Sequence, residues 1–205
     1  MKIALDAMGG DFAPRSPVKG TLKFLENSSS NVEVILVGDK NILNQELGRS
    51  IPNGIRIHHT TQVVNMHDHA SKAIKSKPDS SIVQGINLVK DGVADAFVSA
   101  GHTGAIMATS LLTLGRIENL RRPALAAYIP TPKGGKILCD VGANPDARPE
   151  HMLQFAIMAS TYFDHVERKI NPKIALVNIG TEATKGSELY QETHKLLKNE
   201  LSDDF

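Results

Sequence analysis

Apolar residues cluster in short runs separated by longer stretches of helical periodicity, and the two patterns alternate along the whole chain. Strands are predicted at Lys2–Asp6, Val32–Val37, Ile55–His58, Asp95–Ser99, Ala124–Ile129, Lys136–Asp140 and Lys173–Asn178. Most of these runs lack clean in/out alternation, as expected of strands covered on both faces. Helices are predicted at Ser16–Glu26, Lys40–Leu47, Ser71–Lys77, Ser80–Lys90, Thr103–Ile117, Pro149–Arg168 and Ser187–Glu200. Pro149 suits a first helical turn, and its helix is expected to carry Leu153, Ala156, Ile157 and Ser160 on one amphipathic stripe. Alternating strands and helices predict a three-layer α/β/α fold with a largely parallel sheet, read as a single α/β unit across residues 1–205. The short link Thr131-Pro132-Lys133-Gly134-Gly135 cannot hold a crossover helix, so its flanking strands are expected to form an antiparallel hairpin embedded in that sheet.

Four strand-like runs end in glycine-bearing polar turns. These are Asp6-Ala7-Met8-Gly9-Gly10-Asp11, Ser99-Ala100-Gly101-His102-Thr103-Gly104, Asp140-Val141-Gly142-Ala143-Asn144 and Asn178-Ile179-Gly180-Thr181-Glu182. In one parallel sheet all four would converge on the edge where α/β proteins bind ligands. The glycines either permit close backbone approach to an anion or simply allow tight turns. Asp6, Asp11 and Asp140 fit a helix cap or turn former as well as chemistry. Asn144 and Thr103 share that ambiguity, since their side chains can also donate to an oxyanion or phosphate.

The 205 residues are 41% hydrophobic and 22% charged, an ordinary globular balance. Lys and Arg number 23 against 22 Asp and Glu, so no overall field draws nucleic acid. Lys2 is followed by a polar Asp6, which excludes a signal-type apolar core, and no apolar stretch has membrane-spanning length; a cytoplasmic protein is expected. The one cysteine, Cys139, has no partner for an internal disulfide and no neighbouring base, which favours a buried structural role over an acyl-carrying one. His58, His59, His67 and His69 lack metal-site spacing, so no metal is expected. No turn matches G-x-G-x-x-G, and Gly180–Ser187 is no Walker A loop.

MKIALDAMGGDFAP, SAGHTGA, DVGAN followed by Asp146 and QFAIM, and NIGTEATKGSE occur here in one order and spacing. Together they resemble the bacterial phosphate acyltransferase family, also called fatty acid/phospholipid synthesis proteins, from Lys2 to about Lys198. The resemblance implies an isocitrate/isopropylmalate dehydrogenase-like fold, and transfer of a long-chain acyl group from acyl carrier protein to inorganic phosphate without a cofactor. It also implies a homodimer in the full-length form, peripheral membrane association, and a functional link to a membrane glycerol-3-phosphate acyltransferase. Members continue beyond the point where this chain stops at Phe205, so the C-terminal portion is expected to be lacking.

Carried onto this chain, the catalytic candidates are Asp6, His102, Thr103 and Asn144. Phosphate or substrate binding falls to Gly9, Gly10, Gly101, Gly104, Gly142, Arg148, Gly180 and Lys185, with Arg116 a further cation near a turn. His102 stands where the family commonly carries asparagine, so a neutral donor is favoured over a general base. Lys72, Lys75 and Lys77 form either a solvated face or a docking patch for the acidic carrier protein. The competing functions are a non-catalytic carrier-binding module and a dehydrogenase-like enzyme on the same fold.

Overall fold

The computed structural model describes residues 1–28, 31–48, 50–132, 134–168 and 172–201. Sequence reading had one α/β unit; the chain packs as two compact units, Met1–Gly115 and Arg116–Phe205.

In the first unit, β1 (Lys2–Asp6), β2 (Glu33–Gly38), β3 (Ile55–His59) and β4 (Ala96–Val98) form a sheet of order β3-β2-β1-β4. Every pairing is parallel, with Ile3 opposite Val34 and Ala96, and Val34 opposite Ile55. Helices α1 (Arg15–Asn27), α2 (Lys40–Leu47), α3 (Ala70–Ser76), α4 (Ser81–Lys90) and α5 (Thr103–Thr113) surround it. Because strand side chains alternate, β2 sends Val34 and Leu36 to one face and Ile35 and Val37 to the other. Val34 and Leu36 pack with Val18 of α1 and Leu43 of α2, while Ile35 and Val37 pack with Leu88 of α4. Both faces are therefore covered, which explains a β2 that is apolar at every central position. A third cluster joins Ala73, Ile82, Ile86 and Ala105, tying α3, α4 and α5 together.

Local chemistry sets the helix boundaries. Asp39 caps α2 by accepting from Asn41 and Ile42 N–H, and Ser80 caps α4 by accepting from Val83 N–H. Helix α5 stops at Thr113, short of the predicted Ile117, because Gly115 turns left-handed at φ 84° just past the cap.

The second unit holds β5 (Ala126–Ile129), β6 (Lys136–Cys139), α6 (Pro149–Glu167) and α7 (Glu188–Glu200). The predicted hairpin forms, with Ala126 opposite Cys139, but as its own two-stranded antiparallel sheet rather than within the parallel one. Helix α6 buries His151, Phe155 and Phe163 and leaves Ile157 exposed, so its inward face is not the predicted Leu153, Ala156, Ile157 and Ser160 stripe. The two phenylalanines bring large apolar side chains to the inward face.

Residues 172–178 form no strand where Lys173–Asn178 was predicted. Their exposure alternates as a strand's would, yet they join no ladder among the described residues, and an extended run becomes a sheet strand only with a neighbour to pair with.

Candidate active site

Strand order reverses at β1, since β2 and β3 lie to one side of it and β4 to the other. Such a switch point leaves a crevice outside the strands' carboxyl ends. A cleft of about 340 Å³ lies there, bounded by Asp6, Gly9, Gly10 and Phe12 after β1 and by Ser99 and Ala100 after β4. A larger groove of about 760 Å³ runs along residues 174–183 in the second unit. The smaller cleft is the better candidate, because a sheet edge fixes its walls, whereas the groove follows a segment that joins no sheet among the described residues.

Asp6 is buried, and its carboxylate joins the two turns. It accepts from Met8 N–H at 3.0 Å and from the Ser99 hydroxyl at 2.7 Å, while Ser99 Oγ accepts from Gly101 N–H at 2.9 Å. Asp6 thus works as a positioning residue that fastens the β1 turn to the β4 turn. Gly9 is required by the same packing: a Cβ there would overlap the Asp6 carboxylate and lie 2.9 Å from Gly101 Cα. At Gly101 a Cβ would stand 3.1 Å from both Asp6 Oδ2 and Ser99 Oγ. Gly10, with φ 95°, holds a conformation that side-chain-bearing residues rarely adopt. Sequence reading left Ser99 out of the site residues, although a serine opening the second turn, opposite an aspartate closing β1, was the available signal.

His102 is the N-cap of α5. Its Nδ1 accepts from Ala105 N–H at 3.3 Å, and its Nε2 donates to the Asp68 carbonyl at 2.8 Å. Both ring nitrogens are engaged within the protein, so the donor expected to face a ligand is turned instead onto a backbone oxygen. Thr103, exposed at the first position of α5, makes no side-chain hydrogen bond among the described residues. Its hydroxyl, with the N–H groups of Thr103 and Gly104 that the helix leaves unpaired, offers a set of donors to an anion. Gly104 sits against α3, where a Cβ would lie 3.3 Å from Ala70 Cβ and 3.2 Å from the His102 ring.

Lys77 belongs with this scaffold. Its ammonium donates to Val63 O at 2.9 Å and pairs with Asp68 at 2.5 Å, holding the loop whose carbonyl receives His102. That bond holds the Asp68 carboxyl below the ordinary aspartate value. Lys77 is thereby removed from the predicted docking patch, leaving Lys72 and Lys75, both exposed on α3.

Of the four turns, two follow strands of the parallel sheet; the third follows β6 and the fourth follows the 172–178 segment, which joins no strand ladder among the described residues. In the third, Asp140 is a turn former that accepts from Leu125 N–H at 2.7 Å and Asn144 N–H at 2.8 Å. Asn144 Nδ2 donates to the Pro123 carbonyl at 2.9 Å, so that amide braces the chain before β5. Gly142, with φ 107°, permits the turn, and no atom stands within 4 Å of where its Cβ would be. Arg148 caps α6 through its backbone, donating N–H to His151 Nδ1 at 3.1 Å. Arg116 is spent on the Arg121 carbonyl at 2.9 Å. In the fourth turn, Asn178 Nδ2 donates to Lys185 O at 2.9 Å and closes the loop over Gly180. The exposed Lys185 ammonium has no ion pair among the described residues.

Cys139 lies half-buried in β6, and burial, helped by the Asp140 charge, pushes its thiol up to about 11. Such a thiol is almost wholly protonated at neutral pH and is a poor nucleophile. No helix among the described residues is long and apolar enough to cross a membrane.

The fold is shared with the EutD phosphotransacetylase from Staphylococcus aureus, at TM-score 0.67 and 18% identity, over 99% of this chain and 65% of that one. Among curated relatives, the phosphate acyltransferase of Desulfitobacterium hafniense (strain DSM 10664 / DCB-2) is 53% identical over 199 residues, covering 97% of this chain and 59% of the relative. That of Listeria innocua serovar 6a is 44% identical over 206 residues, covering 100% of this chain and 60% of the relative. The chain thus spans about 60% of the length of the curated relatives it matches. The model of the family described as fatty acid synthesis protein matches residues 1–205, and this chain belongs to that family.

Proposed function

We propose that this chain transfers a long-chain fatty acyl group from acyl carrier protein to inorganic phosphate. The observation that carries the proposal is the crevice at the β1/β4 switch point, whose two turns are locked together by Asp6 and Ser99 beside the open N-terminus of α5. Relatives named phosphate acyltransferase support the reaction class.

In the proposed reaction a phosphate oxygen attacks the thioester carbonyl carbon and forms a tetrahedral oxyanion. Collapse breaks the carbon–sulfur bond, releasing acyl phosphate and the carrier thiolate. Thr103, with its hydroxyl and N–H, and Gly104 N–H are the donors offered to the oxyanion; one such donor is worth about 2.7 to 4 kcal/mol of barrier where it has been removed elsewhere. Asp6 and His102 hold that geometry without touching the reactants. Lys72 and Lys75 are the carrier-docking cations. Homodimerisation, membrane association and delivery of acyl phosphate to a glycerol-3-phosphate acyltransferase complete the proposal.

Phosphate-dependent release of carrier-protein thiol by the purified chain tests it. Release that requires phosphate and falls at least about tenfold in Thr103→Val supports the assignment. Carrier binding without thiol release marks a binding module instead and overturns it.

A further inference from the structure

Apolar side chains line the cleft at the β1/β4 switch point. Leu5, Phe12, Ala13, Pro17, Val98 and Ala100 border it, all of them within the first unit. Phe12 is 77% exposed and Val98 49% exposed, so two large apolar side chains stand open to water along one concavity. Exposed apolar surface of this kind, gathered around a cleft, marks a binding site. The volume of about 340 Å³ falls within the range of small-molecule sites, about 300 to 1,000 Å³.

Charge narrows the choice of occupant. The two charged side chains that border the cleft are both carboxylates, Asp6 and Asp11, and no Lys or Arg borders it among the described residues. Asp6 is spent on Met8 N–H and the Ser99 hydroxyl, and Ser99 Oγ on Gly101 N–H. A phosphate dianion placed here would meet like charge with no cation to offset it. An alkyl chain asks for no partner and gains by leaving water. Its path to the chemistry is short, because Ala100 stands three residues before Thr103, which keeps the cleft wall within about 10 Å of that residue.

We propose that this cleft holds the alkyl part of the acyl chain, with Phe12 and Val98 as the side chains that cover it. The assignment rests on the acyl-transfer reading above and separates the two substrates. The alkyl chain lies between the β1 and β4 turns, the thioester carbonyl reaches the Thr103 and Gly104 donors, and phosphate binds outside the cleft. Chain-length preference follows from the same wall, since each methylene covered adds to binding until the cleft is full.

The chain contains no tryptophan, so Phe12→Trp places a single indole fluorophore at the cleft. The full 205-residue variant is titrated with butyl-, octyl- and dodecyl-pantetheine, thioethers that phosphate cannot cleave. Affinity rises about tenfold for every two methylenes until the cleft is filled, and the indole emission shifts to the blue as the alkyl chain excludes water. Inorganic phosphate at matched ionic strength neither shifts the emission nor displaces the thioether. Val98→Asp in the same background lowers dodecyl affinity at least about tenfold. Affinity independent of chain length, displacement by phosphate, or a folded Val98→Asp variant that binds as before overturns the assignment. Phosphate-dependent thiol release is measured on the chain without these substitutions. Length-dependent binding in a chain that releases no thiol upholds the cleft and overturns only the reaction; thiol release without such binding upholds the reaction and overturns the cleft.

Discussion

Replacing Asp6 by alanine should reveal how much of the crevice hangs on one carboxylate. Asp6 is 1% exposed and accepts two hydrogen bonds, from Met8 N–H and the Ser99 hydroxyl. Each charge-assisted bond contributes about 1.5 to 3 kcal/mol, and its loss leaves a buried donor without a partner. Relief of the buried charge's desolvation offsets part of this, so the expected cost is about 3 kcal/mol. For a unit of this size that is a fall in Tm of about 12 °C. Thermal and urea unfolding followed by circular dichroism measure it. A double-mutant cycle with Ser99→Ala isolates the shared bond and should give a coupling of about 1.5 to 3 kcal/mol. Additivity of the two substitutions within about 0.5 kcal/mol would show that the turns are not joined through this pair.

Gly104→Val should destabilise the chain by about 1 to 3 kcal/mol through overpacking and lower thiol release as well, since even a Cβ would press on Ala70 and the His102 ring; unchanged Tm would contradict that contact. With its thiol pushed up to about 11, Cys139 should react with iodoacetamide at pH 8 roughly two hundredfold more slowly than an exposed cysteine, and faster as pH rises; prompt labelling of the folded chain would refute its shielding. The Asp79 carboxyl is held below the ordinary value of 3.8 by its bonds from the Thr61 hydroxyl and N–H. A carboxyl lowered on folding contributes stability that is present above its unfolded value and lost as pH falls through the folded one. Wild type should therefore exceed Asp79→Asn in stability at pH 7, with the gap closing below about pH 3.9; a gap that widened on acidification would reverse the sign.

Much of the local structure is legible from residue order alone. Short apolar runs and longer amphipathic ones placed β1, β2, β3 and α2 within a residue of where they lie, because periodicity and capping residues act over a few neighbours. Pro149 and the short 131–135 link likewise told their own story, one opening α6 and the other closing a hairpin. Motif order was enough to reach the family. Pairing was not legible: nothing in the Lys173–Asn178 run says whether a neighbouring strand exists, and an apolar extended segment reads alike with or without one.

Side-chain roles depended on partners distant in the chain. Asp6 and Ser99 are 93 residues apart and meet only because β1 and β4 are adjacent in the sheet. His102 finds Asp68 34 positions back, Lys77 turns inward to the same residue, and Asn144 reaches Pro123 rather than solvent. Residue type told which of these groups could donate or accept; strand order and helix packing decided which atoms met. Hydrogen bonds reach about 3 Å, so a residue's chemistry is written in the sequence while its partner is chosen by the tertiary fold.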